Sequence, residues 1–421
     1  MPEQRPKVVI VGAGFGGIEA ARALAKSPVA VTIVDKQNHH CFQPLLYQVA
    51  TAALSPADVA WPIRHIFRRQ ANATVLMAGV LGVDTARRIV HTDEIDVPYD
   101  YLVLATGAAH SYFGHDEWAE AAPGLKRIED ATRIRRRILI AFERAELATD
   151  EKERRRLLTF VIVGAGATGV EMAGAISEVA RQTLAKDFRN IDPRTARIVL
   201  IEAGPRVMPA FPESLAGYVL RTLAAKGIEA MTQTRVTGCD MRGVDLDHGR
   251  IDAGTIIWAA GVVASPAAQW LGAEHDRAGR VLVAPDLSVP GHPEIFAVGD
   301  TAAATRPDGR PIPGIAPAAK QMGRYAGRLI AARIAGAASS QPFRYSHQGD
   351  LATVGRHAAV VKLGRMELTG FLGWLFWSVV HIFFLVEVRD RFIVAFTWAW
   401  DYITFQRGAR LITEVRREDR E

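Results

Sequence analysis

The sequence predicts an α/β fold built from two Rossmann-like units, followed by an apolar C-terminal region. Three observations predict this fold. A buried strand, a glycine-rich turn and a helix follow one another twice along the chain, each unit continues to a second strand that ends in an acidic residue, and an uncharged run of 19 residues lies near the C-terminus. The length of 421 residues, with 49% apolar and 23% charged residues, is typical of a globular chain of two or three domains.

The first unit begins with the strand-like Val8–Val11 and continues through Gly12, Gly14 and Gly17, which satisfy the pattern GxGxxG. In such a turn the first glycine permits the sharp bend, the second lets a pyrophosphate approach the backbone, and the third lets the helix pack against the strand. Asp35 lies 18 residues after Gly17, where its carboxylate is suited to bind ribose hydroxyls. The unit therefore predicts a dinucleotide site.

The second unit repeats this arrangement. The strand-like Thr159–Val163 is followed by Gly164, Gly166 and Gly169 in the same spacing, and the next strand ends in Glu202. Because phosphates bind well at helix N-termini, both units are suited to hold a pyrophosphate. The sequence therefore predicts two dinucleotide-binding domains and two dinucleotides.

The thiol content of the chain consists of Cys41 and Cys239. There is no CxxC pair and no Cys/His spacing typical of a metal site, so we predict no metal centre and interpret His39 and His40 as surface or hydrogen-bonding residues. Redox chemistry would then need a bound cofactor. The net charge of +6 fits an anionic partner. The arginine-rich stretch 133–137 is interpreted as a solvated helix face, and no nucleic acid is expected.

Two further turns carry a resemblance. The strand-like Tyr101–Leu104 closes on Ala105-Thr106-Gly107, and a later strand closes on Gly299-Asp300. A chain with two GxGxxG units and these two turns resembles the two-dinucleotide-binding flavoproteins. The resemblance implies that the first site binds FAD and that the second belongs to an inserted NAD(P)H domain. It also implies that the chain returns to the first domain at Asp300, which would bind the flavin ribityl chain.

Glu202 favours NADH over NADPH at the second site. A 2′-phosphate about 4 Å from its carboxylate would cost about 1 kcal/mol in water and about 4 kcal/mol at an effective dielectric of 20, which Arg206 would offset in part. The residues that the resemblance implies for the NADH site are Gly164, Gly166, Ala167, Thr168, Gly169, Glu202, Ala260 and Gly261. Those that it implies for the FAD site are Gly12, Gly14, Phe15, Gly16, Gly17, Asp35, Lys36, Gln43, Val80, Ala105, Thr106, Gly107 and Asp300.

Disulfide reductases and sulfide:quinone oxidoreductases share this layout but depend on cysteines that the chain lacks. The chain more closely resembles the type II, non-proton-pumping NADH:quinone oxidoreductases, over nearly its whole length. The stretch Asn38–Thr51 is similar to that family's segment near the flavin. The stretch Ala316–Gln321 resembles its quinone motif AQxAxQ but departs from it at Pro317, which cannot donate a hydrogen bond. The quinone-site residues that the resemblance implies are Gln48, Ala316, Pro317, Ala319 and Gln321.

Glu171 lies two residues beyond Gly169, in the first turns of the helix that follows the second GxGxxG pattern. The helix dipole favours an acid there by about 0.3 to 1 kcal/mol, which is one account of this residue. The resemblance implies another, in which an acid near the flavin positions NADH or assists proton delivery. Glu171 and Gln321 are therefore the candidate catalytic residues.

The C-terminal region is unusually apolar. The run Leu368–Val386 is uncharged, and a shorter run, Phe392–Trp400, follows after a charged break. Four of the eight tryptophans lie here, and Arg365, Arg389 and Arg391 flank the runs. Because a spanning helix needs about 20 apolar residues, the pattern favours helices lying at a membrane interface, with a buried core helix or a single span as alternatives.

The sequence therefore predicts an FAD-dependent enzyme of the respiratory chain that transfers two electrons from NADH to a membrane quinone. A soluble reductase of a ferredoxin-like carrier and an NADH-sensing flavoprotein module are the alternatives. Because the first strand begins at residue 8, we expect no export signal and a peripheral, monotopic position on the cytoplasmic face of the cell inner membrane. A homodimer is left open. The predicted segments are 1–115 and 286–335 for the FAD domain, 116–285 for the inserted NADH domain, and 336–421 for the membrane-anchoring region.

Overall fold

The computed structural model describes residues 5–337, 341–385, 388–404 and 408–412. The chain divides into two compact units. The first unit consists of the segments Met1–His40, Trp61–Ala109 and Val262–Gln348. The second unit consists of the segments Cys41–Ala60, His110–Gly261 and Gly349–Glu421.

A six-stranded sheet forms the centre of the first unit. Its strands pair in parallel except for the short edge strand, which is antiparallel to its neighbour. The strands, in spatial order, are Ser288–Val289, His292–Ala297, Tyr101–Leu104, Lys7–Val11, Ala30–Asp35 and Ala73–Met77. Val8, Ile10 and Ile33 are fully buried, which explains why these strands appear in the sequence as continuous apolar runs.

The position of the strand His292–Ala297 shows that the long segment His110–Gly261 of the second unit is inserted into the first. This strand pairs in parallel with Tyr101–Leu104, so that Phe296 lies opposite Val103. The chain thus leaves the sheet after Leu104, forms other structure, and returns to the next place in the same sheet. The predicted insertion is confirmed.

The helices Phe15–Ala23 and Ala316–Ile334 of the first unit pack closely enough to exclude side chains at their contact. A Cβ on Gly323 would overlap the carbonyl oxygen of Gly16, and a Cβ on Gly327 would lie 2.5 Å from the carbonyl oxygen of Ala20. The helices of this unit are Phe15–Ala23, Ile63–Phe67, Ala267–Leu271 and Ala316–Ile334. Its other strands are Val80–Asp84, Ile89–Thr92, Asp96–Pro98, Val262–Ala264, Val281–Leu282 and Ala302–Ala303, and a 3₁₀ turn spans Gly299–Thr301.

The second unit has a four-stranded parallel sheet of the same kind. Its strands, in spatial order, are Ile228–Met231, Arg197–Ile201, Thr159–Val163 and Thr255–Trp258. A three-stranded antiparallel sheet is formed by Val236–Asp240, Gly243–Leu246 and Gly249–Asp252. The helices that precede the apolar C-terminal runs are Leu46–Ala50, Trp118–Ala121, Ile128–Leu147, Glu151–Leu157, Ala167–Glu178 and Glu213–Ala225.

The C-terminal part of the second unit joins a small sheet to two helices. The antiparallel strands are Asp350–Gly355, Ala358–Leu363 and Met366–Thr369, and the helices are Gly370–Phe384 and Val388–Thr404. Gly174 and Gly373 permit close packing here, because a Cβ on the first would overlap the carbonyl oxygen of Val354 and one on the second would lie 2.8 Å from that of Ala359. The small sheet thereby packs against the helix that follows the second glycine-rich turn.

The remaining elements are short. The strands His39–Cys41, Ala60–Pro62 and Ala108–His110 lie where the chain passes between the units. Single helical turns span Gln43–Leu45, Pro56–Asp58, Val179–Thr183 and Pro193–Thr195. The four segments predicted from the sequence divide the chain by expected binding function rather than by packing, and their boundaries stay predictions.

The arginine-rich helix Ile128–Leu147 differs from the sequence-based interpretation. Arg135 and Arg136 are buried, whereas Arg133 and Arg137 donate hydrogen bonds to the backbone carbonyl of Glu120. The expected solvated helix face is therefore wrong for Arg135 and Arg136. Guanidinium groups with long apolar stems pack against protein while their N–H groups bind carbonyls.

Candidate dinucleotide-binding sites

The first glycine-rich turn needs glycine at two of its three positions for internal packing. Gly12 has a φ of +97°, and a Cβ on it would overlap the carbonyl oxygen of Ala105. A Cβ on Gly17 would overlap the carbonyl oxygen of Gly12. Gly14 differs, because nothing lies within 4 Å of the position of its Cβ. Gly14 therefore leaves an open space directly before the helix that begins at Phe15, where a phosphate can approach the backbone.

Asp35 joins the end of its strand to this turn. Its Oδ2 atom accepts a hydrogen bond from the backbone N–H of Ala13 at 2.6 Å, and Oδ1 accepts one from Gln37 at 2.8 Å. Burial raises the pKa of the carboxyl above its ordinary value, and the two backbone N–H groups oppose that shift. A carboxylate retains further acceptor positions after two such bonds, so Asp35 is also able to bind ribose hydroxyls.

The Ala105-Thr106-Gly107 turn is tied to the returning strand by hydroxyl groups. Thr106 Oγ1 lies 3.1 Å from Thr301 Oγ1 and 2.5 Å from Ser265 Oγ, and the backbone N–H of Gly107 donates to Thr301 Oγ1 at 3.0 Å. Because Thr301 directly follows Asp300, these contacts fix the two predicted flavin turns relative to one another. A Cβ on Gly314 would lie 2.9 Å from Asp300 Oδ1.

The predicted quinone motif forms the first turns of the helix Ala316–Ile334. Pro317 lies in the first turn, where no helical hydrogen bond needs its missing N–H. Ala319 packs its Cβ 3.1 Å from the position that a Cβ on Gly299 would occupy. The Gln321 amide is already paired with one residue, because Nε2 donates to the carbonyl of Ser346 and Oε1 accepts from its N–H, both at 2.9 Å.

Three other predicted flavin residues, Lys36, Val80 and Gln43, lie outside the turns described above. Lys36 is exposed beside Asp35, and Val80 is partly buried against the sheet of the first unit. Gln43 belongs to the second unit, unlike the other predicted FAD residues, and donates to the carbonyl of Lys126 at 3.2 Å.

The second glycine-rich turn reproduces the geometry of the first. Gly164 has a φ of +100°, and a Cβ on it would lie 2.7 Å from the backbone nitrogen of Ala260. A Cβ on Gly169 would overlap the carbonyl oxygen of Gly164, whereas Gly166 again has open space at its Cβ position. Open space at the middle glycine, followed by a helix, is therefore common to both turns.

Glu202 accepts backbone hydrogen bonds at the second turn as Asp35 does at the first. Its Oε2 atom accepts from the N–H of Ala165 and Oε1 from the N–H of Gly204, both at 2.8 Å. Thr168 is exposed in the first turn of the helix Ala167–Glu178, and Gly261 has a φ of +76° next to Ala260. The structure thus brings the predicted residues of the second site into one strand-end cluster.

Glu171 lies in that same helix and contacts the C-terminal sheet. Its Oε1 atom accepts a hydrogen bond from the backbone N–H of Thr353 at 3.4 Å. Burial raises the pKa of the carboxyl to about 8, and the Thr353 N–H opposes the shift. Glu171 therefore carries its proton at neutral pH, which is the state needed to donate one.

Gln48 lies against the tryptophan-rich C-terminal helices. Its Oε1 atom accepts a hydrogen bond from the indole N–H of Trp398 at 2.8 Å, and its Nε2 atom donates to the Tyr47 hydroxyl at 3.1 Å. Trp377 stacks on Trp398 with ring centroids 5.4 Å apart and on His381 at 4.0 Å. Gln48 and two of the C-terminal tryptophans thus form one aromatic and amide cluster.

The C-terminal helices bury one side and expose apolar residues on another. Trp377 is buried, while large apolar side chains remain in contact with solvent. The exposed ones on these two helices are Phe371, Leu372, Leu375, Val379, Phe383, Phe384, Phe392, Phe396 and Trp400. Among the helices that the structure describes, none has the length and apolar character needed to cross a membrane. Val386 and the side chain of Arg389 lie outside the described part of the chain.

Comparison with known proteins identifies the family. The profile of the pyridine nucleotide-disulphide oxidoreductases matches residues 6–323, and that of the NDH2 C-terminal domain matches residues 347–407. The type II NADH:quinone oxidoreductase NdhA of Mycobacterium tuberculosis is 44% identical over 97% of this chain and 90% of its own length. Ndh of the same organism is 42% identical over 98% of this chain and 91% of its own length. The chain belongs to the type II NADH:quinone oxidoreductases.

Solved structures with little sequence identity share the fold of this family member. The structure of NDH2 from Plasmodium falciparum in complex with NADH has a TM-score of 0.87 at 20% identity and covers 97% of this chain and 100% of that one. The sulfide:quinone oxidoreductase of Aquifex aeolicus has a TM-score of 0.73 at 17% identity and covers 97% of this chain and 96% of that one. The predicted α/β fold and the predicted resemblance to type II NADH:quinone oxidoreductases are both confirmed. Family membership also favours the predicted function over the two alternatives.

Sequence reasoning about this type II NADH:quinone oxidoreductase missed several contacts at the sites. The hydroxyl of Ser265 touches the Thr106 turn, the backbone of Thr353 touches Glu171, and the His40 ring lies 2.9 Å from the Ala13 carbonyl oxygen. These partners are far apart in the sequence or belong to the backbone, so no spacing pattern indicates them. The sequence shows adjacent histidines at 39 and 40 but does not show which of them is buried.

Proposed function

We propose that this chain is an FAD-dependent enzyme that transfers two electrons from NADH to a membrane quinone without pumping protons. The observation that carries the proposal is the pair of glycine-rich turns, each with its central N–H held by a carboxylate at the end of the next strand. Two such sites fit a chain that binds two dinucleotides. Membership in the type II NADH:quinone oxidoreductases supports this function.

The first turn fits FAD. Its middle glycine leaves space for a pyrophosphate, the helix N-terminus supplies N–H groups, and Asp35 is suited to the adenosine ribose. Asp300 and the Ala105-Thr106-Gly107 turn would hold the ribityl and ring end of the cofactor. Lys36, Gln43 and Val80 are the remaining proposed contacts. FAD, when bound, would supply the group that accepts a hydride and releases electrons to quinone.

The second turn would bind NADH through the same features. Gly164, Gly166 and Gly169 leave the backbone accessible to a pyrophosphate, with Ala167 and Thr168 at the helix N-terminus. Glu202 would bind the ribose hydroxyls and repel the additional phosphate of NADPH. Ala260 and Gly261 would border the nicotinamide half of the cofactor.

Glu171 would supply a proton. The overall reaction, NADH + H⁺ + quinone → NAD⁺ + quinol, consumes one proton from solution for each hydride that NADH gives up. A carboxyl that stays protonated at neutral pH is a suitable donor for that proton. The same group would be available to hold the nicotinamide amide by a hydrogen bond.

The residues proposed for quinone binding are Gln48 in the second unit and Ala316, Pro317, Ala319 and Gln321 in the first. Gln48 would offer an amide in aromatic surroundings, and aromatic rings stack favourably on a planar quinone ring. The Gln321 amide retains one N–H donor and one acceptor position beyond its two hydrogen bonds to Ser346, because an amide nitrogen has two donors and the oxygen two acceptor positions. Recognition of the quinone carbonyl would use this second donor.

The exposed apolar residues of the C-terminal helices would bind the surface of a membrane. Large exposed apolar surfaces mark sites of interaction with lipid or with other proteins. We propose a peripheral, monotopic position on the cytoplasmic face of the inner membrane, which would give the enzyme access to lipophilic quinone. A homodimer is compatible with this position.

The test follows the flavin spectrum of full-length protein without oxygen. Addition of NADH should bleach the flavin absorbance, and addition of a quinone should restore it, whereas a ferredoxin-like carrier should not. Absence of FAD from the purified protein, or bleaching that no quinone reverses, would contradict the proposal. NADPH serves as the control donor and should bleach the flavin more slowly.

A further inference from the structure

The peptide groups around Ala13 are held by side chains on both sides of this residue. Ala13 lies between Gly12 and Gly14, at the centre of the first glycine-rich turn. Its N–H donates to Asp35 Oδ2 at 2.6 Å, and its carbonyl oxygen accepts from Nδ1 of His40 at 2.9 Å. A carbonyl oxygen can only accept, so Nδ1 of His40 must carry the proton.

The second turn gives an internal comparison for this arrangement. Ala165 is the counterpart of Ala13, and its N–H donates to Glu202 Oε2 at 2.8 Å. Its carbonyl oxygen accepts from the backbone N–H of Met208, also at 2.8 Å. In both turns the carbonyl oxygen of the equivalent alanine therefore accepts a hydrogen bond. The donor is a backbone amide in the second turn and the His40 side chain in the first.

The direction of this carbonyl decides the direction of the next N–H group. The carbonyl of Ala13 and the N–H of Gly14 belong to one planar peptide unit and point in opposite directions. A donor that fixes the Ala13 oxygen toward His40 therefore turns the Gly14 N–H away from His40. Gly14 is the position with open space beside its backbone, where a phosphate can approach.

We propose that His40 is a positioning residue for the FAD pyrophosphate, acting through the Ala13 carbonyl to orient the Gly14 N–H. This inference rests on the proposed function, which assigns FAD to the first turn. His40 does not touch the cofactor in this proposal. It replaces, with a side chain, the backbone amide that serves the second turn.

The surroundings of His40 keep its ring neutral and fixed. The residue is 2% exposed, meets the edge of Phe15 at a centroid distance of 5.1 Å, and stacks on Trp61 at 6.4 Å. Burial lowers the pKa of His40 to about 4, the hydrogen bond to Ala13 opposes the shift, and the charge of Lys320 adds to it. The neutral ring with its proton on Nδ1 is therefore the form present at physiological pH.

Two substitutions separate the hydrogen bond from the packing. His40→Phe keeps an aromatic ring between Phe15 and Trp61 but removes the donor. His40→Asn loses the ring but keeps an N–H donor at the same number of bonds from Cβ as Nδ1. His39→Phe is the matched control, because His39 is the neighbouring histidine and its ring contacts the side-chain oxygen of Asn38.

The experiment measures how fast the FAD-loaded enzyme releases FAD on dilution, from the rise of free flavin fluorescence, and how tightly it binds NADH. We expect His40→Phe to release FAD about tenfold faster or more, as for loss of a partner of a buried polar group. His40→Asn should stay within about threefold of the unchanged enzyme. NADH affinity, which depends on the second turn, should be unchanged in both variants and in His39→Phe.

Release of FAD from His40→Phe at the rate of the unchanged enzyme would overturn the inference, and so would fast release from His40→Asn. If His40→Phe fails to fold, the release rate of His40→Asn decides by itself. Loss of FAD and NADH binding together, with a lower Tm, would assign His40 to general packing and also overturn the inference. Unchanged protein that is purified without FAD would contradict the proposed function instead, so the two failures are distinguishable.

Discussion

The backbone N–H of Thr353 points at the carboxyl group of Glu171, with 3.4 Å between the nitrogen and Oε1. This contact links the helix after the second glycine-rich turn to the C-terminal sheet of the same unit. It is long for a hydrogen bond, and it does not compensate for burial, which raises the pKa of the carboxyl to about 8. Two expectations about pH follow.

The first concerns activity. If Glu171 delivers a proton to quinone, kcat for quinone reduction should fall as the pH rises through about 8, because the carboxyl then loses its proton. Glu171→Gln should lower kcat about a hundredfold and remove this alkaline limb. Glu178→Gln, in the same helix, is the control and should keep the limb. If kcat of Glu171→Gln still falls as the pH rises through about 8, another group causes this fall.

The second concerns stability. The folded-state pKa of Glu171 lies above the ordinary value of 4.5 for a glutamate carboxyl, so the folded protein holds this proton more tightly than the unfolded chain. Stability should therefore fall between pH 4.5 and 8 and stay level above that range. Glu171→Gln mimics the protonated form and should gain at most about 5 kcal/mol over the unchanged protein as the pH rises across this range. Tm measured at pH values on both sides of the range tests this, and a constant Tm difference would contradict it.

Substitution of each middle glycine should weaken the binding of one cofactor and leave the other bound. Gly14 and Gly166 both have open space at the Cβ position, so valine should be accommodated without unfolding. Gly14→Val should lose FAD, because the new side chain occupies the place of the pyrophosphate. Gly166→Val should retain FAD but bind NADH at least tenfold more weakly. Flavin content and NADH titration test the pair, and equal loss of both cofactors in either variant would contradict the assignment.

Glu202 should control the choice between NADH and NADPH. Glu202→Gln removes a charge that repels the 2′-phosphate and an acceptor for the ribose, so the ratio of kcat/KM for NADPH to that for NADH should rise about tenfold. The variant should also weaken NADH binding, because an amide nitrogen would face the N–H of Ala165 or Gly204. Asp35→Asn is the control, since it changes the first site and should leave this ratio unchanged. An unchanged enzyme that prefers NADPH would contradict the role of Glu202.

The parts of the sites that follow from local spacing were predictable from the sequence. Gly12, Gly17 and Asp35 lie in one strand, turn, helix and strand, so their order along the chain determines their arrangement. The return of the strand His292–Ala297 to the first sheet was predictable from resemblance, because its sequence ends in the same Gly-Asp turn as that of known flavoproteins.

Contacts between distant segments were not predictable. Trp398 binds Gln48 across 350 residues of sequence, and Ser346 pairs with both polar atoms of Gln321. The sequence indicated neither, since such pairs depend on how whole elements pack. The same limit explains the wrong interpretation of Arg135 and Arg136, whose positions on a charged helix suggested solvent although both are buried.

The exposed apolar side of the C-terminal helices should hold the protein on membranes. Removal of everything from Leu368 onward would be a poor test, because the buried Trp377 and part of the strand Met366–Thr369 would be lost with it. Substitution of exposed residues avoids this damage. Leu372 and Val379 on the first helix and Phe392 on the second are 66%, 60% and 74% exposed.

The triple variant Leu372→Ser, Val379→Ser, Phe392→Ser should therefore fold normally and leave the membrane fraction, since each exposed large side chain contributes on the order of 1 kcal/mol or more to insertion. It should retain NADH-driven reduction of small water-soluble acceptors while losing most reduction of lipophilic quinone in vesicles. The matched control replaces Leu81 and Leu147, which are 66% and 80% exposed elsewhere, and should stay membrane-bound. High salt should detach the unchanged protein only in part, because salt screens charge but not apolar insertion. Full recovery of the unchanged protein in the soluble fraction at low salt would refute membrane attachment through these helices.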